Sequence, residues 1–393
     1  MKRTAILVCA LALAVLAQPA ITKAQEADAA ITGISKAFNP AISVNGLFYH
    51  MSTSAPDEDH EAEEGEQHGH EHAGFETGFH LQEAEIRLTA NVDAYFKADM
   101  TIAFEGDETE LENLYIETLS MPAGLRGTIG KVYVPFGLHN QLHTHMYPFL
   151  EQPLINEAVF GDHGWVDTGA SISWLAPLPW YFEVIVGGYD GSGEMLFESD
   201  RKGDYAGAGR VENLWPIGDA ATFRLGGSYA YGPTTYEVFE GDTLMAEMNP
   251  RTQVWGGDVQ IKIRPPETMR TFGVVLQGEY IQERQFIDNE DWTDPREGYY
   301  AMGMVQVSKW WWLQARYDWM TDPPELAMAD EFTIPADAED MTSQRWSYAV
   351  ALVPTHFQAY KFQYSVIDRG GEMEYRTYAQ VNFTIGSHPA HEY

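Results

Sequence analysis

The chain has 393 residues, of which 45% are apolar and 13% aromatic, with 35 glycines and 21 tyrosines, a composition without helical periodicity that favours an all-β protein. Its 58 acidic residues against 24 basic ones give a net charge of −34, which excludes nucleic acid as a partner and favours cations. The one cysteine, Cys9, stands close to the start, so disulfide staples, thiolate metal centres and cysteine nucleophiles are excluded from the rest of the chain.

Met1-Lys2-Arg3 precedes an unbroken apolar run from Ala5 to Ala17 and a small-residue stretch ending at Ala24. That order reads as a secretory signal peptide over residues 1–24, and its apolar run is too short to cross a bilayer as a helix. A short periplasmic segment, 25–40, then leads to the first strand. No later stretch is long and apolar enough for a helical membrane span.

From residue 41 onward the pattern has period two. Ala84, Ile86, Leu88 and Ala90 stand against Glu85, Arg87 and Thr89, and Ala94, Phe96, Ala98, Met100, Ile102 and Phe104 against Lys97, Asp99 and Thr101. Phe223, Leu225, Gly227 and Tyr229 oppose Arg224, Gly226 and Ser228, and Tyr360, Phe362, Tyr364 and Val366 oppose Lys361, Gln363 and Ser365. Such runs exceed the usual soluble strand and match the nine to eleven residues, roughly, that a membrane strand needs. Apolar positions would face lipid and polar ones a wet lumen.

Sixteen such segments are predicted. They lie near 41–51, 76–91, 93–105, 111–120, 124–134, 165–176, 179–190, 205–215, 219–232, 250–264, 268–286, 298–309, 311–321, 344–354, 357–368 and 373–386. The fourth, seventh, eighth and twelfth alternate poorly. Tight links and longer loops alternate between them, as in a transmembrane antiparallel β-barrel with short periplasmic turns, long extracellular loops and both termini periplasmic. The barrel is expected over 41–386, with a C-terminal tail at 387–393. Trp174, Trp180, Trp215 and Trp310 to Trp312 fall at the turn end, and Tyr133, Tyr189, Tyr231, Phe286 and Trp319 at the loop end, as two interfacial aromatic belts.

The first loop, 52–75, holds His60, His68, His70 and His72 among many carboxylates. Neutral imidazoles with carboxylates suit zinc or another divalent transition ion, bound weakly and exchangeably; a solvated acidic screen is the alternative. The third loop, 135–164, holds His139, His143, His145, Glu151, Glu157, Asp162 and His163. Arg87, Lys97, Arg126, Arg224, Lys262, Arg316, Lys361 and Arg376 have the parity of lumen positions, the natural place for a charge within a spanning strand. Two arrangements are open. Glu151, Asp162 and the other carboxylates of the third loop could face that basic wall across the lumen and set up a transverse field. Alternatively, the basic residues pair with Glu85, Asp99, Glu183, Asp258, Glu279 and Asp318 on neighbouring strands.

The strand-and-loop rhythm, the segment Gly130-Lys131-Val132-Tyr133-Val134-Pro135-Phe136-Gly137 and the final strand Tyr378-Ala379-Gln380-Val381-Asn382-Phe383-Thr384-Ile385 resemble those of Gram-negative outer-membrane porins, and more loosely the porin O and P group. The resemblance implies a passive diffusion channel for small hydrophilic solutes, often a homotrimer, with the third loop folded into the lumen as a constriction. It also implies contact with outer-membrane lipid and lipopolysaccharide, a terminal strand read by the barrel-assembly machinery, and no required cofactor. Porins usually end at the aromatic residue of the last strand, whereas Gly386 to Tyr393 continues past it here. The acidic loops favour cations, and the histidine tract supports an alternative role in divalent-metal uptake or capture. No catalytic motif of an outer-membrane enzyme is present in the sequence.

Overall fold

A computed structural model describes residues 40–55, 77–106, 108–193, 195–199, 203–240, 243–248, 250–286, 292–323 and 341–386. The first half of its barrel is built from β1 (Ala41–Thr53), β2 (Gly78–Asn91), β3 (Phe96–Glu105), β4 (Glu108–Thr118), β5 (Leu125–Tyr133), β6 (Val166–Leu175), β7 (Tyr181–Tyr189), β8 (Ala206–Ile217) and β9 (Ala221–Pro233). It continues with β12 (Arg251–Ile263), β13 (Gly273–Phe286), β14 (Arg296–Gln306), β15 (Trp311–Asp322), β16 (Met341–Thr355), β17 (Gln358–Arg369) and β18 (Glu372–Gly386). Between β9 and β12 the chain forms a separate two-stranded hairpin, β10 (Tyr236–Glu240) and β11 (Thr243–Met248), where a plain loop is expected from the sequence.

Sixteen strands make one closed antiparallel barrel, each paired with its neighbours along the chain. β1 closes the ring on β18 from Ser43↔Gly386 to Thr53↔Arg376. Every predicted segment corresponds to one barrel strand, and all-β transmembrane architecture is the result. Closure matters physically, because a barrel leaves no unpaired strand edge in a medium that cannot hydrogen-bond to it.

Leu114, Ile116, Ile129, Ile172, Val186, Leu225, Leu276, Leu313 and Phe362 all lie exposed on the outer wall. Apolar side chains at such density would be costly in water and are at home in hydrocarbon. Trp174, Trp180, Trp310 and Trp311 are exposed at the short-turn end, and Tyr231, Trp255 and Trp346 nearer the loop end. The belt reading needs correction at three positions, since Tyr133, Tyr189 and Trp312 turn inward instead. Tyr133 bonds Glu112, Tyr189 packs edge-on against Trp165, and Trp312 is buried beside Phe149 and Met302.

The interior is not polar throughout. At the loop end Ala208, Ala230, Val254, Ile281 and Met320 face inward and form one apolar cluster with Phe136, Ile155, Phe160 and Trp165. A second cluster gathers Val275, Tyr300, Met302, Met304 and Trp312 around Phe149. This explains the weak alternation of the eighth and twelfth predicted segments. Their inner positions, Ala206 and Ala208 in β8 and Tyr300, Met302 and Met304 in β14, meet protein rather than water, so both faces are apolar over those stretches.

Candidate functional site

The residues inside the barrel come from the third long connection, 134–165, between β5 and β6. This loop carries a short 3-10 turn, Thr144–Met146, and one helix, α1 (Leu154–Phe160). Gln152 ties the helix ends together by donating to the carbonyls of Gly161 and Asp162, and Arg296 donates to the Ala158 carbonyl at 3.0 Å. A basic side chain on the last carbonyls of a helix also complements its dipole.

The loop is fastened to the wall at three places. Near its start, Phe136 lies over Gly256, where an added Cβ would come within 2.6 Å of the Phe136 ring. Gly137 takes a left-handed φ of 57°, which aims the successive amides of Leu138 and His139 at Glu279 Oε2, 3.2 Å from each. The Gly137 amide donates to Ser228 Oγ at 3.1 Å. Glycine alone meets both demands at position 137, since any Cβ would overlap the Glu279 carboxylate.

The second anchor is a ladder of cations on β15, β16 and β18. Arg316 donates to the carbonyls of Glu151 and Gln152, both at 2.9 Å, and Arg345 donates to Gln152 as well. The Glu151 carboxylate receives Arg376 at 2.9 Å, Gln363 at 3.0 Å and Ser365 at 2.9 Å, with Arg345 3.5 Å away. Burial opposes ionisation of Glu151, but the Arg345 and Arg376 charges outweigh it and hold its carboxyl at about 2. Arg316 also lies over the Phe149 ring, 4.8 Å from its centroid, a cation–π contact in a desolvated place. Lys361 donates to the Tyr147 carbonyl at 2.8 Å.

The third anchor joins the loop to β2 and β4. His143 Nδ1 is 3.0 Å from Glu112 Oε2 and 3.7 Å from Glu85 Oε2, and His145 Nδ1 is 2.8 Å from that same Glu85 oxygen. The Tyr133 hydroxyl donates to Glu112 at 2.6 Å. Glu83, Glu85, Glu112, His143 and His145 are all buried. Burial alone would lower the His143 pKa, but the hydrogen bond and charge of Glu112, with the charge of Glu85, raise it instead. A β-bulge creates this cluster. Between the pairs Thr101↔Asn113 and Ile102↔Leu111, Glu112 is the extra residue of β4, so Glu112 and Asn113 both turn inward.

Of the metal-ligating residues predicted in this loop, the structure brings His143 and His145 together and leaves His139 apart. The His139 ring packs against Tyr147 and Tyr300, with centroids 4.6 and 6.4 Å away. Burial, with the Arg316 and Arg345 charges adding to it, pushes its pKa well down. His60, His68, His70 and His72 lie outside the described residues.

The predicted lumen charges do face inward, and most are paired. Arg87 grips Asp99 with two bonds of 3.0 and 2.8 Å. Lys97 lies 3.7 Å from Glu117, Arg126 3.1 Å from Glu183, and Arg224 2.5 Å from Glu212. Lys262 is half-buried on β12. Arg316, Lys361, Arg376 and Glu151 are engaged between loop and wall, and Asp162 is exposed near the end of the loop. These groups are paired in the structure, and Glu151 touches the cations instead of facing them across a gap.

Two buried arginines escape a parity count. Arg345 is the second residue of the fourteenth predicted segment, where parity is barely established, and Arg210 lies in the poorly alternating eighth. Arg210 clamps Asp258 at 2.6 and 3.0 Å, and Arg345 binds Asp318 at 3.2 Å. Glu112 leaves no signal either, since a bulge turns it inward, and Glu83, although it shares the inward parity of Glu85, is brought to the histidines by the fold of the loop and not by spacing.

No protein-family model matches the chain. An uncharacterised protein of Aquifex aeolicus is 27% identical over 353 residues, 83% of this chain and 72% of its own length. Among solved structures, an anion-selective porin from Comamonas acidovorans superposes with a TM-score of 0.56 at 12% identity, covering 88% of this chain and 100% of its own. The trimer form of OmpT, an outer membrane protein of Vibrio cholerae, gives 0.54 at 9% identity, covering 88% and 100%. The similarity to both is one of fold.

Proposed function

We propose that the chain is a passive diffusion channel of the Gram-negative outer membrane, selective for small hydrophilic solutes and favouring cations. The observation that carries this reading is the closed sixteen-strand barrel with an apolar outer wall, a charged inner wall and a loop folded across the inside. Residues 1–24 would serve export and be removed, and both termini would face the periplasm. Lipid and lipopolysaccharide would surround the wall, the barrel-assembly machinery would insert it, and a homotrimer is the expected assembly. Cation preference rests on the net charge of −34 and on carboxylate-rich segments between the barrel strands, such as 57–66, 237–247, 288–294 and 322–340. A mouth so charged concentrates cations at low ionic strength.

The test is single-channel recording in planar bilayers with reversal potentials in salt gradients. Potassium should permeate ahead of chloride at low salt, and the preference should fade as the Debye length shrinks to about 3 Å near 1 M. Anion preference at low salt would overturn the selectivity. Absence of any discrete conductance from a folded barrel would overturn the channel itself.

A further inference from the structure

We infer that Glu83, Glu85, Glu112, His143 and His145 form a binding site for one divalent transition-metal ion, which fastens loop three to the wall of β2 and β4. Ligating atoms of Glu83, Glu85 and His145 all lie within 4.8 Å of one another, and so do those of Glu85, Glu112 and His143. Glu85 Oε2 belongs to both sets and is approached by both imidazole Nδ1 atoms, at 2.8 and 3.7 Å. Ligands bonded to a metal at about 2.0–2.2 Å stand roughly 3–3.5 Å from each other, so the cluster needs little movement to close on an ion.

A second observation points the same way. Glu83 is buried, and apart from the Thr144 side chain, which approaches it outside ordinary hydrogen-bond geometry, neither of its carboxylate oxygens has a hydrogen-bond partner among the described residues. Three buried carboxylates stand here against two imidazoles, and the guanidinium of Arg87, two residues beyond Glu85 on β2, is engaged by Asp99. A buried carboxylate without a partner is costly, and a cation between Glu83 and Glu85 removes that cost. The β4 bulge supports the reading as well, since without it Glu112 would point to lipid.

The surroundings supply what ligands need around them. Tyr133 orients Glu112 by donating to its other oxygen, Oε1, at 2.6 Å. The Asn113 amide lies 3.3 Å from His143 Nε2. With its oxygen turned to that nitrogen, it would accept the Nε2 proton and fix the tautomer whose Nδ1 is free to bind metal. Two imidazoles with carboxylates select zinc, nickel or iron(II) over magnesium or calcium, which prefer oxygen alone.

This site does not depend on the channel reading, and its test is separate from conductance. The full-length barrel, refolded in detergent and stripped with EDTA, is titrated with zinc by calorimetry, with magnesium as the comparison. One zinc per chain is expected to remain tightly bound in a variant with His68, His70 and His72 changed to alanine. Glu85→Gln and His145→Gln should each lose more than the roughly 10–100-fold that follows loss of an outer-shell partner. Glu83→Gln should also weaken binding while folding at least as well as the native chain, because glutamine keeps the shape of the buried carboxyl and has no charge to desolvate. Zinc should protect the 135–164 segment of the unmodified barrel from protease, a readout that needs no variant. No zinc uptake, unchanged binding in the interior variants, or binding that vanishes with the loop-one histidines would each overturn the site.

Discussion

Replacing Glu151 by glutamine keeps the side-chain shape and deletes the one negative charge between Arg345 and Arg376. The carboxyl falls from an ordinary 4.5 to about 2 although burial acts in the opposite direction, so the guanidinium groups favour its ionised form strongly. That lowering corresponds to about 3 kcal/mol, close to the ~3–5 kcal/mol lost when one partner of a buried ion pair is removed. Because the folded value lies below the unfolded one, the contribution is complete above pH 4.5 and drains away as pH falls toward about 2. Glu151→Gln should therefore release the middle of loop three at neutral pH. In planar bilayers its conductance should be larger and noisier than that of the native chain, and protease should cut within 135–164. The native chain should approach the same condition only in acid, as pH falls toward about 2, and the variant should lack this transition. Native conductance together with native protease resistance in Glu151→Gln would refute the claim that this charge cluster holds the loop.

Phe136→Ala removes a fully buried ring from the cluster of Ile155, Phe160 and Trp165, and should cost about 3–5 kcal/mol, measured as an earlier urea midpoint at fixed detergent. Gly256→Leu places a side chain where Phe136 sits, and should expose 135–164 to protease. The double variant Gly256→Leu, Phe136→Ala should recover part of that loss, and strict additivity of the two would disprove their contact.

The barrel was legible from residue parity because lipid imposes one rule on every outward position of every strand. Phe223, Leu225 and Tyr229 against Arg224 and Ser228 report it directly. Parity fails where the inner face meets loop three, and Met302 and Met304 look like lipid-facing residues until Phe149 is found against them. The loop histidines were legible as ligand types, but their partners were not. Glu83 and Glu85 lie some sixty residues upstream of His143 and His145, and only the inward fold of the loop brings them together. The turn of Glu112 comes from one unpaired residue in β4, a local slip that the composition of Glu110-Leu111-Glu112-Asn113 does not announce.

The seam between β1 and β18 governs how this molecule comes into being. Its pairs join Ser43 to Gly386 and Thr53 to Arg376, residues from opposite ends of the chain. Contacts that distant in sequence form late, because the whole intervening chain must be ordered before they are rewarded. Until then two strand edges stay open, and both invite pairing with other chains. The cation ladder waits on the same event, since Arg376 belongs to the last strand and is missing from the wall until β18 has arrived. Substitutions along this seam should thus lower the yield of inserted protein and leave the properties of the molecules that do assemble nearly untouched.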